Sequence, residues 1–375
     1  MSDAGGSGLR AAHKPTRRVA RMPEPGALVG DHYLLGPDIG RGGVGIVFEA
    51  RDQRTDTPVA LKILLPEVLD KDTIVERFRR EARLASTLVH PNTVRIEGYG
   101  VHGDSPDTLG LPFIAMELLS GEDLEARLDR KIKLPTEEAL TLARQTLESL
   151  AEAHAKGIIH RDIKPQNTFL VTQPDGTNRV KVLDFGIAKV VSLDGEEEPS
   201  RFESLTETGL VCGTPQFMAP EQAEGRRDLT PAVDVYNLAC VLFRMITGDL
   251  LFQGTTPYEV AYQHVMAPLP PFPPELDNPL GDVLKNALTK IPEDRIPDAA
   301  ALIIALDDAA RQMGMTPAPS TTPPPPPDLE LPRPLSAPPT APKPQPWGLW
   351  LGLAVIAAVI AASILAVLVW FFALR

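Results

Sequence analysis

The sequence is poor in cysteine, in net positive charge and in apolar residues near its start. Cys212 and Cys240 are its only cysteines. They are too few for a disulfide framework and stand apart from any Cys/His cluster that would hold zinc, which points to a reducing compartment. Lys and Arg number 37 against 49 Asp and Glu, a net charge of −12. That is the wrong sign for a surface that reads phosphate backbones, so no nucleic-acid partner is expected. No N-terminal apolar run precedes the body, so a secretory signal is not expected either. A composition 43% hydrophobic and 23% charged is that of a folded protein.

Proline marks the organisation. Of 39 prolines, 14 lie between Thr316 and Trp347, and the chain from 347 to 374 then carries one polar residue, Ser363, and no charge. Four parts are predicted: a disordered basic leader over 1–30, a folded body over 33–311, a proline-rich linker over 316–346 and an apolar segment over 347–374. The leader holds Arg10, Lys14, Arg17, Arg18 and Arg21 without an acid among the five. The linker is expected to be extended polyproline, reaching on the order of 90 Å at about 3.1 Å per residue. The last segment exceeds the ~20 apolar residues that a membrane-crossing helix needs. Trp350 and Trp370 stand about 30 Å of helix apart, the spacing of two interfacial aromatic belts. Arg375 ends the sequence, so no folded part is expected beyond the span.

Within the body, Gly40-Arg41-Gly42-Gly43-Val44-Gly45-Ile46-Val47 sits between extended runs. Glycines spaced this way let a hairpin's amides lie against phosphates where side chains would intrude. The spacing alone also marks dinucleotide-binding folds. Here strand residues rather than a helix follow. Val59-Ala60-Leu61-Lys62 reads as an apolar strand ending in a lysine. From Asp72, the residues Ile74, Phe78, Ala82, Ala85 and Leu88 recur at helical spacing and place Glu81 along the inward face. Thr136, Glu137 and Glu138 open a long helix that Gly157 closes. His154 shares its apolar face and is assigned no chemistry. Then come His160-Arg161-Asp162-Ile163-Lys164-Pro165-Gln166-Asn167 and Asp184-Phe185-Gly186.

These stretches, in this order, resemble the protein kinases, and the chain is identified by them as similar to bacterial Hanks-type (eukaryotic-like) serine/threonine kinases. The resemblance covers about three-quarters of the chain. It implies an α+β fold of two lobes, an antiparallel N-lobe sheet with one helix and a mainly helical C-lobe, here with a C-terminal transmembrane helix. It implies ATP and Mg²⁺ as cofactors and proteins as substrates. By the same resemblance Asp162 orients the substrate hydroxyl, Lys164 neutralises the moving γ-phosphate, and Asn167 and Asp184 hold metal. Lys62 pairs with Glu81 and holds the α- and β-phosphates. Ile39, Gly40, Gly42, Gly45, Val47, Ala60, Met116 and the Glu117–Leu119 hinge surround the nucleotide, with Phe169 beneath adenine. His160 is structural, and Asp234 accepts bonds from catalytic-loop amides.

Gly213-Thr214-Pro215-Gln216-Phe217-Met218-Ala219-Pro220-Glu221 resembles the shelf for the residue beside the phosphoacceptor, which small-molecule phosphotransferases lack. Glu221 is then expected to pair with Arg295. Thr206-Glu207-Thr208 resembles the autophosphorylated threonines of bacterial members, which implies a transient homodimer for reaction in trans. An active kinase in the cell inner membrane, single-pass with its kinase domain cytoplasmic, is the expected whole. A catalytically weak scaffold at the membrane is the rival, resting on the departures Val44, Phe169 and Asn237.

Overall fold

The N-terminal part is built on one six-stranded antiparallel sheet. The computed structural model describes residues 18–69, 72–105, 108–185 and 215–321. Strands β1 (Arg18–Val19), β2 (Leu28–Val29), β3 (Tyr33–Arg41), β4 (Gly45–Asp52) and β5 (Thr57–Leu64) are followed by helix α1 (Asp72–Ala85), β6 (Ile96–His102), β7 (Thr108–Leu109) and β8 (Leu111–Glu117). Six of these form one sheet in the order β2-β3-β4-β5-β8-β6. β5 and β8 are central and buried nearly end to end. They accordingly read as continuous apolar runs rather than as alternation.

The leader expected over 1–30 ends earlier than that. β1 runs parallel to β7, with Arg18 opposite Thr108 and Val19 opposite Leu109, and Ala20 N donates to Leu109 O at 2.9 Å. Val19, Ala20 and Met22 pack against the core. Two-residue strands carry no periodicity, so composition alone hid them.

The C-terminal part is mainly helical. It comprises β9 (Gly121–Asp123), α2 (Leu124–Lys131), α3 (Thr136–Ala155), β10 (Thr168–Thr172), β11 (Asn178–Val182), α4 (Pro220–Ala223), α5 (Ala232–Thr247), α6 (Pro257–Met266), α7 (Pro279–Ala287) and α8 (Ala299–Gln312). Asp123 caps α2 through Ala126 N, and Asp298 caps α8 through Ala301 N. α5 is buried around its whole circumference over its first three turns, which marks it as the centre of this lobe. The two lobes that the resemblance implies, one built on an antiparallel sheet with one helix and one mainly helical, are thus observed.

The two lobes are joined behind the site. Glu152 of α3 accepts from Val89 N at 3.1 Å and His90 N at 2.9 Å, and Thr93 and Ser149 hydroxyls are 2.6 Å apart. The chain after α8 returns to the same place. Residues 314–319 pass along α3 and α8 over a cavity of about 480 Å³. Thr321 N donates to Glu148 Oε2 at 2.9 Å. The linker expected from 316 therefore begins as a docked strand of chain: Met315, Pro317 and Pro319 line the cavity with Leu147 and Leu306. Among the described residues no helix is long and apolar enough to cross a membrane. The apolar segment 347–374 lies outside the described residues, as do Thr206, Thr208 and Thr214.

Candidate active site

Strand register assembles the nucleotide side. Ala60 and Lys62, two residues apart on β5, share a face. Val47 of β4 stands opposite Lys62, and Met116 of β8 stands opposite Ala60. Opposed residues also share a face, so Val47, Ala60, Lys62 and Met116 line one surface. Gly40 pairs with Val47, and Gly42 N donates to Gly45 O at 2.9 Å, which folds the glycine-rich turn. Ile39 lies at its base, exposed. At the far edge Glu117 accepts from Arg95 N at 2.8 Å and Lys181 Nζ at 2.6 Å. Leu119 follows it, and Phe169 on β10 pairs with Asp123.

The three glycines differ in what requires them. A Cβ at Gly45 would stand 2.7 Å from Ile63 O, so strand packing alone demands glycine there. At Gly40 and Gly42 the nearest protein atoms would be 3.9 and 3.8 Å away, an ordinary contact. Those two leave the backbone open to close approach from outside. That is the cradle a phosphate chain needs.

Lys62 Nζ donates to both Asp184 carboxylate oxygens, at 2.7 and 2.8 Å. Asp184 thus engages the cation, and the Glu81 side chain, expected to pair with Lys62, lies outside the described residues. An ammonium has three donors, so Asp184 does not exhaust it. Asp184 adopts a left-handed φ of 50°, unusual for a residue with a Cβ. β11 delivers it there: Leu183 N donates to Asn167 O at 2.9 Å, and His160 Nε2 donates to Leu183 O at 2.8 Å. The other ring nitrogen, Nδ1, accepts from Asp162 N at 3.2 Å, which fixes the tautomer. Burial pushes the His160 pKa down, so the ring is neutral. It joins two loops and is placed to exchange no proton with substrate.

Asp162 accepts from Lys164 Nζ at 2.8 Å and from Asn167 Nδ2 at 3.1 Å. Asn167 Nδ2 also donates to Asp162 O at 2.8 Å. With the amide nitrogen so directed, its oxygen faces away from Asp162. Among the described residues no group of three or more His, Cys, Asp or Glu is arranged to hold a metal. The donors that do fit are hard oxygens, the Asn167 amide and the Asp184 carboxylate. Mg²⁺ suits such a set, since it keeps waters and takes one or two protein oxygens together with phosphate.

Behind the loop stands Asp234 on α5, with no exposed surface. It accepts from His160 N at 2.8 Å, Arg161 N at 2.7 Å and His154 Nε2 at 2.9 Å. Arg161 has a φ of 65°, so the clamp holds a conformation that the chain would not choose alone. The buried pair Arg295–Glu221 forms as expected, with bonds of 2.7 and 3.0 Å. Reading the sequence missed His154, whose 80-residue separation from Asp234 leaves no local signal. It also missed Gln222, whose Nε2 donates to Arg161 O at 2.7 Å.

Comparison with known proteins agrees with this geometry. Residues 33–303 match the protein kinase domain family. The chain is 37% identical over 303 residues to the serine/threonine-protein kinase PknA of Mycobacterium tuberculosis, covering 80% of this chain and 66% of PknA. It is 36% identical over 309 residues to the serine/threonine-protein kinase pkn3 of Myxococcus xanthus, covering 79% of this chain and 54% of pkn3. The chain therefore spans just under two thirds of the one and about half of the other. A crystal structure of a mutated Mycobacterium tuberculosis PknI kinase domain superposes with a TM-score of 0.59 at 24% identity, covering 77% of this chain and all of that one. With the fold, the catalytic loop and the matched family in agreement, the chain belongs to the protein kinase family.

Proposed function

We propose that this chain is a serine/threonine protein kinase that transfers the γ-phosphate of ATP to Ser or Thr hydroxyls of proteins. The observation that carries the reading is the Asp162–Lys164–Asn167 cluster, held in register with Asp184 through His160. In that arrangement Asp162 orients the acceptor hydroxyl and takes its proton. Lys164, already on the Asp162 carboxylate, meets the transferred phosphoryl oxygens. Lys62 binds the α- and β-phosphates with the donors that Asp184 leaves, beneath the Gly40–Gly45 turn. Asn167 and Asp184 would hold Mg²⁺, which neutralises phosphate charge when bound. The chemistry asks the protein for position and charge rather than for a covalent step. The Asp-x-Lys spacing and the relatives' names support Ser/Thr over Tyr.

Activation follows from Arg161. Its Nε is buried and has no hydrogen-bond partner among the described residues. A buried guanidinium nitrogen calls for an anion, and phosphorylated Thr206 or Thr208 would supply one after reaction in trans within a transient homodimer. The apolar segment 347–374 tethers the kinase to the cell inner membrane, with the domain on the ATP-bearing cytoplasmic side.

The test is incubation of the full chain with Mg-ATP beside Asp162→Asn, with phosphosites mapped by mass spectrometry. Label on Thr206 or Thr208 in the wild type, reduced about 10²–10⁴-fold in the variant, is the expected result. Absence of label in both, with ATP bound by both, would leave the scaffold reading in its place.

A further inference from the structure

Asp234 secures only the amide side of the strained Arg161 peptide; the carbonyl side is held from the substrate shelf. Gln222 Nε2 donates to Arg161 O at 2.7 Å. Its Oε1 accepts from Ala219 N at 3.1 Å and from Asn237 Nδ2 at 3.0 Å. Asn237 Nδ2 donates in addition to Phe217 O at 2.6 Å. Gln222 and Asn237 are 3% and 1% exposed, so water does not substitute for these bonds.

The polarity of this relay is fixed by backbone. Ala219 N–H can only donate and Arg161 C=O can only accept, so the side chain between them must accept at one end and donate at the other. Glutamine does so; glutamate fails at the Arg161 end, and methionine fails at both. Asn237 faces two acceptors, Phe217 O and Gln222 Oε1, and needs a group with two hydrogens on one atom. A serine hydroxyl has one. Nor is the asparagine retained for its oxygen, because Asn237 Oδ1 is buried without a partner among the described residues. An unpaired buried oxygen is unfavourable, so the nitrogen's two bonds must offset it.

We propose that Gln222 and Asn237 are positioning residues that couple the substrate shelf to the catalytic loop, setting Asp162 against the acceptor hydroxyl. The inference rests on the kinase reading above. Nothing in the relay touches the nucleotide face, since it grips the shelf at Phe217 and Ala219 and the loop one residue before Asp162. It should therefore govern turnover and acceptor binding and leave ATP binding alone. It also gives Asn237 a use, where its departure from the usual serine had favoured a weak scaffold.

The experiment compares the full chain with Gln222→Met and Asn237→Ser. A synthetic peptide of residues 200–212 serves as acceptor, and amide hydrogen exchange of the catalytic loop is followed in parallel. In Gln222→Met, kcat should fall about tenfold and peptide KM should rise, with ATP KM within twofold and exchange across 159–163 faster. Asn237→Ser, which keeps one donor, should fall between Gln222→Met and wild type. Unchanged kcat and unchanged exchange in folded Gln222→Met would overturn the proposal. So would parallel losses in kcat, ATP binding and melting temperature, the signature of general structural damage. If Gln222→Met does not fold, Asn237→Ser decides by the same readouts. A wild type that binds ATP and phosphorylates nothing would sink the kinase reading, and the exchange comparison would still decide whether the relay holds the loop.

Discussion

The two sides of the active site are built on opposite plans. On the catalytic-loop side, His160, Asp234 and Gln222 are each no more than 3% exposed, and they bond to one another's backbone or to the loop's. On the nucleotide side, Lys62 rests on Asp184, whose side chain is 36% exposed, and the glycine turn touches little. A buried network gives up much when one member is lost, because what remains cannot turn to water. A half-open ion pair gives up little and can be exchanged for phosphate or metal. The loop that must hold geometry is therefore satisfied from within, and the surface that must take up and release a charged ligand is satisfied provisionally.

The largest expected effect is the one that would break this contrast. Asp234→Asn places an amide against the His160 and Arg161 N–H groups and removes a charge-assisted acceptor from both. Stability should fall by about 3 kcal/mol, read by chemical denaturation. Lys62→Met, in the same assay, should stay within about 1 kcal/mol of wild type, since Asp184 can reach water and the apolar stem is retained. It should nonetheless lose ATP binding. Equal stability losses in the two variants would erase the distinction.

Acid should sharpen it. Burial pushes His264 down to about 3, and burial likewise lowers His160. Both are neutral in the fold and take up protons once unfolded. Their contribution is complete above about pH 6.5 and shrinks as pH falls toward the folded-state values. His264 alone should remove about 1.4 kcal/mol per pH unit below that point. Denaturation midpoints at pH 7.5 and 5.5 measure the loss, and His264→Gln should reduce it. A smaller effect should come from the docked chain end. Thr321→Pro removes the N–H that Glu148 accepts, at a loss of about 1 kcal/mol, with faster proteolysis after Gly314 as the second readout.

Much of the site was legible because its residues are adjacent in sequence. Asp162, Lys164 and Asn167 lie within six positions, and the structure places them in one hydrogen-bonded cluster. Glu221–Arg295 was legible through resemblance, and it forms. The late helices α6, α7 and α8 are of the same legible kind, because each begins at a Thr, Asn or Asp cap, two of them followed by Pro, that composition reveals. What escaped lies in long-range polar contacts. Asn237 read as a mild departure from a motif, His154 as an idle histidine on an apolar face, and residues 316–321 as spacer. Each acquires its role from a partner more than a dozen residues away in sequence, on a different element.

The sequence by itself determined the resemblance to the protein kinases, and through it the expectation of two lobes, since the motifs that carry it are local in the chain. Only the tertiary structure decided that Asp184 reaches Lys62, which nitrogen of His160 carries the proton and which side chains clamp Arg161. A hydrogen bond's partner is set by where two distant segments meet, and that meeting is fixed by packing of the whole lobe rather than by the residues that make the bond.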